Sequence, residues 1–276
     1  MKKLRLLILP LLLISLIGCT KKYDVNNENQ LKIAVLSPSG AEILYEIGAE
    51  DLIVARTDFC DYPTSLNEIT SVGGFDGKTI SLEALISSGC NFVYGSKGIH
   101  DYLESYLKNF GIELYLSDAS SIKELNKEIL FISKKTNHLE EGEKLISSIN
   151  KTLNSCDKKS NLSIYYEVWN TPYMSVGNKS YINDIIQCCG GKNIFADVNS
   201  NYPMVSEESI ISKNPDIILI PEENGLTEEM IKNRSGWKEI NAVKNNRIYF
   251  VDSDIFSRPG PRIIQAIKQM EIYCNE

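Results

Sequence analysis

The sequence predicts an α/β protein built as two α/β lobes with mostly parallel sheets, joined by one long rigid helix. Three observations carry that expectation. Residues 81–94 (SLEALISSGCNFVY) and 206–219 (SEESIISKNPDIIL) align without gaps at an offset of 125. Each reads as a Ser-capped short helix, a turn and a buried strand. Short apolar runs alternate with helical periods in both halves, the order expected of parallel sheets. Between the halves lie two successive helical runs, long enough to bridge lobes.

Met1-Lys2-Lys3-Leu4-Arg5 is a basic start, and Leu6 to Ile17 is an apolar run too short for a spanning helix but suited to an export signal. Leu16-Ile17-Gly18-Cys19 resembles the bacterial lipobox. That resemblance implies removal of residues 1–18 and lipidation of Cys19 as the mature N-terminus; a plain secretory signal with an incidental cysteine is the competing reading. Residues 19–30 are polar and without periodicity, so they read as a flexible tether. A lipid anchor would hold the protein on the periplasmic or cell-surface face of a bacterial membrane without spanning it. The formal charge of −7 becomes −10 once Lys2, Lys3 and Arg5 are removed. An acidic chain with no basic run argues against nucleic acid as a partner.

The N-terminal lobe is expected over 31–137. Lys32 to Ser37 reads as a strand, a Ser-Pro-Ser turn leads into a helix near Ala41 to Ile47, and Leu52 to Ala55 and Asn91 to Gly95 read as further strands. Ile122, Leu125, Ile129 and Ile132 keep helical spacing, and Leu139, Leu145, Ile149 and Leu153 follow an Asn137 cap. The linking helix, 138–155, would be roughly 27 Å long at 1.5 Å per residue. The C-terminal lobe, 156–276, begins its matching unit at Ser163 to Val168. The cleft between lobes is the expected ligand site, because ligands gather at domain interfaces and beyond the carboxyl ends of parallel strands. Six cysteines follow Cys19 with no CxxC pair, which supports neither a metal knuckle nor a redox motif. Cys189 with Cys274 is the candidate disulfide, and some of the cysteines read as buried free thiols.

DFCDYP (58–63), VGGF (72–75), SLEALI (81–86), CGGKNIF (189–195), YPMVSEE (202–208) and SDIFSRPGPRII (253–264) occur in order. Together they resemble the periplasmic cobalamin-binding proteins of bacterial ABC importers, over about residues 32 to 270. The wider group includes ferric-siderophore and haem binders. The resemblance implies a class III substrate-binding fold and no resident cofactor, with cobalamin first and ferric siderophore or haem second as transported ligand. It also implies a permease dimer with its ATPase subunits as partner, and a monomeric binding protein.

Phe59 and Tyr62 lie in a loop after a strand, Phe75 in a Gly-rich loop, and Tyr202 ahead of a helix. Rings so placed suit a flat ligand at a cleft mouth, although each alone serves equally to plug its own loop. By motif position Phe59, Phe75 and Tyr202 match corrin-packing residues, with Tyr62 beside them; the cobalamin binders carry Trp where this chain has Phe75 and Tyr202. The resemblance turns Asp254 and Arg258 to the ligand's polar edge, where a carboxylate accepts from amides and a guanidinium donates. A local Asp–Arg pair pinning the turn is the competing reading, and Arg262 is expected to cap or buttress the last helix. Glu83 and Glu208 hold equivalent places in the repeat, in the first turn of a helix, where acidic groups complement the helix dipole. The resemblance implies that they dock on permease arginines. His100 is a candidate axial ligand for haem iron or cobalt, whereas His138 is expected to be structural. Two histidines leave too few ligands for a free-metal binder, and no metal site is expected.

An enzyme is not expected. Asp76-Gly77-Lys78-Thr79 lacks the first glycine of a phosphate loop, where Val72 stands, and no G-x-S-x-G or H-E-x-x-H occurs. A surface lipoprotein that binds a protein partner is the alternative of another class; a cleft filled by side chains would favour it.

Overall fold

Four short strands of the first half, β1 (Ile33–Val35), β2 (Ile53–Arg56), β3 (Phe92–Ser96) and β4 (Glu113–Ser117), form a parallel sheet in the order β2-β1-β3-β4. The structure is a computed structural model and describes residues 30–276. The export segment, Cys19 and all of the tether but Gln30 lie outside the described residues. Helix α1 (Pro38–Glu46) follows β1, α2 (Leu82–Ser87) precedes β3, and α3 (Glu104–Lys108) precedes β4. Ser37 caps α1 through Oγ, accepting from the Gly40 N–H at 3.3 Å, and Pro38 supplies a pre-set first turn.

Helices α4 (Ile122–Lys135) and α5 (Leu139–Ser155) form an antiparallel hairpin between the halves. Gly142 packs on Ser133 near its turn, and Asn126 Nδ2 donates to Asn150 Oδ1 at 3.0 Å farther along. Ile122, Leu125, Ile129 and Ile132 are all buried, as their spacing requires, whereas Leu139 is exposed. Asn137 does not cap α5: it takes a left-handed φ of 63° in the turn, and His138 occupies the cap position without a side-chain cap bond. The linking role is shared. The Ile122 N–H at the start of α4 donates to Asp184 of the second half at 3.0 Å, while α5 packs on the final helix, α11 (Ile263–Asn275).

The second half repeats the first. It contains β5 (Ser163–Tyr166), a hairpin of β6 (Trp169–Asn170) and β7 (Tyr173–Met174), α6 (Tyr181–Cys188), β8 (Lys192–Asn193), α7 (Glu207–Lys213) and β9 (Ile217–Pro221). After these come α8 (Glu228–Lys232), α9 (Asn241–Lys244), β10 (Ile248–Val251) and α10 (Ser253–Phe256), which leads to α11. Its main sheet runs β10-β9-β5-β8, all parallel, so both sheets have the order second-first-third-fourth along the chain.

Alternation along the strands sorts the core into three bodies. Ile33, Val35, Phe92 and Tyr94 of one sheet and Ile164, Tyr166, Ile217 and Leu219 of the other face a single shared cluster, filled by α1, α4, α5, α6 and α11. Ala34, Leu36 and Val93 face an outer cluster of the first lobe, and Tyr165, Ile218 and Ile220 face one of the second. The largest core therefore belongs to both lobes. Wide hinge opening would expose it, at about 25 cal/mol for each Å² of apolar surface, so large hinge motion is opposed. No Cys189–Cys274 bridge forms: the six described cysteines are free, and Cys189 Sγ instead lies 3.8 Å from Cys156 Sγ. Among the described residues no helix is long and apolar enough to cross a membrane.

Candidate functional site

A cavity of about 440 Å³ opens between the lobes beyond the carboxyl ends of the first sheet's strands. Its floor lies at the point where chain order reverses, between β1 (Ser37, Pro38, Ser39) and β3 (Ser96, Lys97), as the crevice rule for doubly wound sheets requires. The loop after β4 (Ser117 to Ser120) and Phe59 after β2 complete the first wall. Ser180, Tyr181, Asn201, Tyr202, Ser257, Arg258 and Pro259 form the second. Side chains leave the cleft open.

Phe75 is placed by its loop. Gly73 has φ 111°, and a Cβ there would stand 2.1 Å from the Thr79 carbonyl oxygen, so only glycine permits the turn. Asp76 Oδ1 then accepts from the N–H groups of Lys78 and Thr79 at 3.0 and 3.1 Å and from Thr79 Oγ1 at 2.9 Å. The Asp-Gly-Lys-Thr run is thus an Asx turn presenting a ring. Phe75 meets Phe59 edge-on at 5.9 Å between centroids and His100 at 5.5 Å.

His100 does not overhang the cleft as an axial ligand. It is fully buried, its Nδ1 accepts from the Ser96 N–H at 2.9 Å, and Nε2 bonds the Phe75 carbonyl oxygen at 2.9 Å. These partners fix Nε2–H as the donor and leave neither nitrogen for a metal. Burial holds the imidazole pKa below its usual 6.5, against the two backbone hydrogen bonds that raise it. The residue positions Phe75, and its partners are backbone atoms that no side-chain motif reveals.

Asp254, Arg258 and Arg262 belong to a charge cluster that joins the lobes. Arg262 is bidentate on Glu42 of α1, with Nε–Oε2 at 3.0 Å and Nη2–Oε1 at 2.6 Å. Arg258 reaches Glu42 at 3.4 Å, Asp61 at 3.3 Å and Asp254 at 2.6 Å. Asp254 is therefore a partner of Arg258 and not part of the cavity lining; Arg258 is part of it. Arg262 does not buttress its own helix but crosses to the first lobe. Tyr62 likewise leaves the cavity, its ring lying beneath the Arg262 guanidinium at 4.3 Å. Glu42 is 2% exposed, and burial raises its carboxyl pKa despite both arginines.

The structure thus brings Phe59, Phe75, Tyr202 and Arg258 to one cavity and sets Tyr62, Asp254 and His100 behind or beside it. Lining residues missing from the sequence reading are mostly hydroxyls: seven serines face the space, with Ile99, Tyr181 and Asn201. A signal for three of them was present, because Ser37, Ser96 and Ser117 each end or follow a strand of the first sheet. At the rim Lys97 pairs with Asp118 at 2.6 Å. Among the described residues, each cation of the cavity wall is already matched by carboxylates.

Glu83 and Glu208 are exposed in the first turns of α2 and α7. The caps are the same: Ser81 Oγ accepts from the Ala84 N–H at 3.1 Å and Ser206 Oγ from the Ser209 N–H at 3.2 Å. Glu207, by contrast, is tied inward by Tyr173 Oη at 3.0 Å and Trp237 Nε1 at 2.8 Å.

The sequence matches the family described as periplasmic binding protein over residues 33–255. It is 27% identical over 247 residues to a vitamin B12-binding protein of Vibrio parahaemolyticus, spanning 87% of this chain and 88% of that one. It is 29% identical over 251 residues to the uncharacterized ABC transporter substrate-binding lipoprotein YvrC of Bacillus subtilis, spanning 87% and 78%. A solved structure described as a possible iron-binding (periplasmic solute-binding) protein of Staphylococcus epidermidis superposes with a TM-score of 0.78 at 31% identity, covering 89% of this chain and 98% of that one.

Proposed function

This chain belongs to the periplasmic binding protein family, and on that premise we propose that it is the lipid-anchored substrate-binding component of an ABC importer, carrying a corrinoid such as cobalamin. One observation favours a corrinoid over the other cargoes of the group: the cleft combines rings with hydroxyls and offers no unmatched cation among the described residues. Phe59 and Phe75 from one lobe and Tyr202 from the other suit the faces of a flat macrocycle. The serines suit its neutral amide fringe, since a hydroxyl both donates and accepts. A carboxylate-bearing haem or an anionic ferric siderophore would have to displace Asp61, Asp254 or Glu42 from Arg258.

The ferric-siderophore reading is second, favoured by the hydroxyl lining and by the description of the Staphylococcus epidermidis protein. Cys19 supplies the anchor, and Glu83 and Glu208 dock on the permease. Titration of the protein with cyanocobalamin, cobinamide, haemin and ferric siderophores, read by Trp fluorescence and calorimetry, tests the cargo. Saturable one-to-one corrinoid binding is expected, about tenfold weaker in Tyr202→Ala. Binding only to haemin or a siderophore would refute the corrinoid. Replacing Glu83 and Glu208 together by Lys should abolish transport while ligand affinity stays unchanged; lost affinity would refute the docking role.

A further inference from the structure

The end of α6 opposite the cavity carries a cluster that the transport function does not use. Cys156 directly follows α5, Cys188 closes α6 and Cys189 is the next residue. Their three sulfur atoms lie within 4.8 Å of one another, with Cys188 Sγ 3.6 Å and Cys156 Sγ 3.8 Å from Cys189 Sγ. Sulfurs arranged tetrahedrally about an ion at about 2.3 Å stand about 3.8 Å apart.

We propose that Cys156, Cys188 and Cys189 form a three-thiolate site for a divalent thiophilic cation of the zinc and cadmium class. The backbone is built to bring them together. Gly190 has φ 78°, and a Cβ there would come within 2.7 Å of the Lys158 carbonyl group, so glycine alone lets the loop after α5 close on the end of α6. Cys189 and Cys156 are buried and Cys188 is half-buried, which leaves the ion a path inward and a fourth position facing water.

The chemistry balances without electron transfer. The thiols point at carbonyl oxygens: Cys188 at Ile185 (3.1 Å), Cys156 at Thr152 (3.4 Å) and Cys189 at Ile267 (3.5 Å). Binding breaks three S–H bonds, forms three S–metal bonds and releases three protons to solvent. A divalent ion leaves one net negative charge on the cluster. A monovalent ion would leave two in the same buried place, which burial penalises. The bound ion would clamp the end of the linking helix to α6 and stabilise the fold by mass action.

Anaerobic titration of the reduced protein with Cd(II) tests the site. One equivalent is expected, with sulfur-to-cadmium charge-transfer absorption, proton release and a raised melting temperature. Cys60→Ser should change none of these. Cys188→Ser should lower the affinity by about tenfold or more, with Cys156→Ser as a second variant and the melting of both metal-free variants as a check on folding. The site is refuted if the reduced protein takes up no stoichiometric cadmium, if both variants bind as tightly as the parent, or if two of the three sulfurs form a disulfide that resists reduction.

Discussion

The two lobes solve the same local problem with different side chains. Gly89 and Asn214, 125 residues apart in the repeat, both take left-handed φ values, 70° and 45°, in the turn between capped helix and strand. Two residues on, Asn91 Oδ1 accepts from the Lys32 N–H at 2.8 Å, and Asp216 Oδ2 accepts from the Ser163 N–H at 2.9 Å. In each lobe one side-chain oxygen thus ties the strand's lead-in to the start of its neighbour. Scaffold positions keep their role while their identity drifts, because backbone geometry constrains what each must do and not which residue does it. Positions facing the cleft or the outer solvent carry no such constraint. The first lobe supplies the edge-on Phe59–Phe75–His100 group and the strand-end serines, and the second supplies Tyr202 and Arg258.

The sharpest break in this parallel is Glu42, a first-lobe carboxylate that serves two second-lobe arginines. Glu42→Ala leaves both guanidinium groups short of a partner in a buried place and should cost about 3–5 kcal/mol in denaturant unfolding. A cost near zero would show that the lobes are held by the shared core alone.

The repeat-equivalent clamps should differ in strength. Asp216 is charged and also binds Ser163 Oγ at 2.7 Å and Asn241 Nδ2 at 3.1 Å. Asp216→Ala should therefore cost about 1.5–3 kcal/mol and Asn91→Ala about 0.5–1.5 kcal/mol by the same measurement. Equal costs would mean that the backbone bond is all that counts.

The smallest effect should be the pH response of the edge-on His100–Phe75 group, which has no counterpart in the second lobe. The folded pKa lies below the usual 6.5, so the unfolded chain takes up the proton first. The stability tied to neutral His100 is complete above about pH 6.5 and is lost progressively as pH falls below it. The urea midpoint and ligand affinity should decline together there, and His100→Gln should remove the His100 part of the decline.

Much of the fold was legible in one dimension. Capping serines, left-handed turn residues and buried β-branched runs act over a few neighbours, so α2, β3, α7 and β9 stood at their predicted places. The helical spacing of Ile122 to Ile132 likewise marked the face that became buried. Cleft rings could be named because they sit in loops beside strand ends. Their actual neighbours could not, since Phe75 is held by a histidine 25 residues on and Arg262 by a glutamate 220 residues back.

By itself, then, the sequence determined the capped helix–strand units, the mostly parallel strands, the two helical runs between the lobes and the aromatic character of the cleft, all consequences of short-range sterics and periodicity. Only the tertiary structure decided that one core serves both lobes, that Arg258 and Arg262 spend their charge across the interface, that His100 faces backbone, and that Cys156 meets Cys189. Each of these depends on contacts between distant segments, which packing and desolvation select and local sequence does not encode.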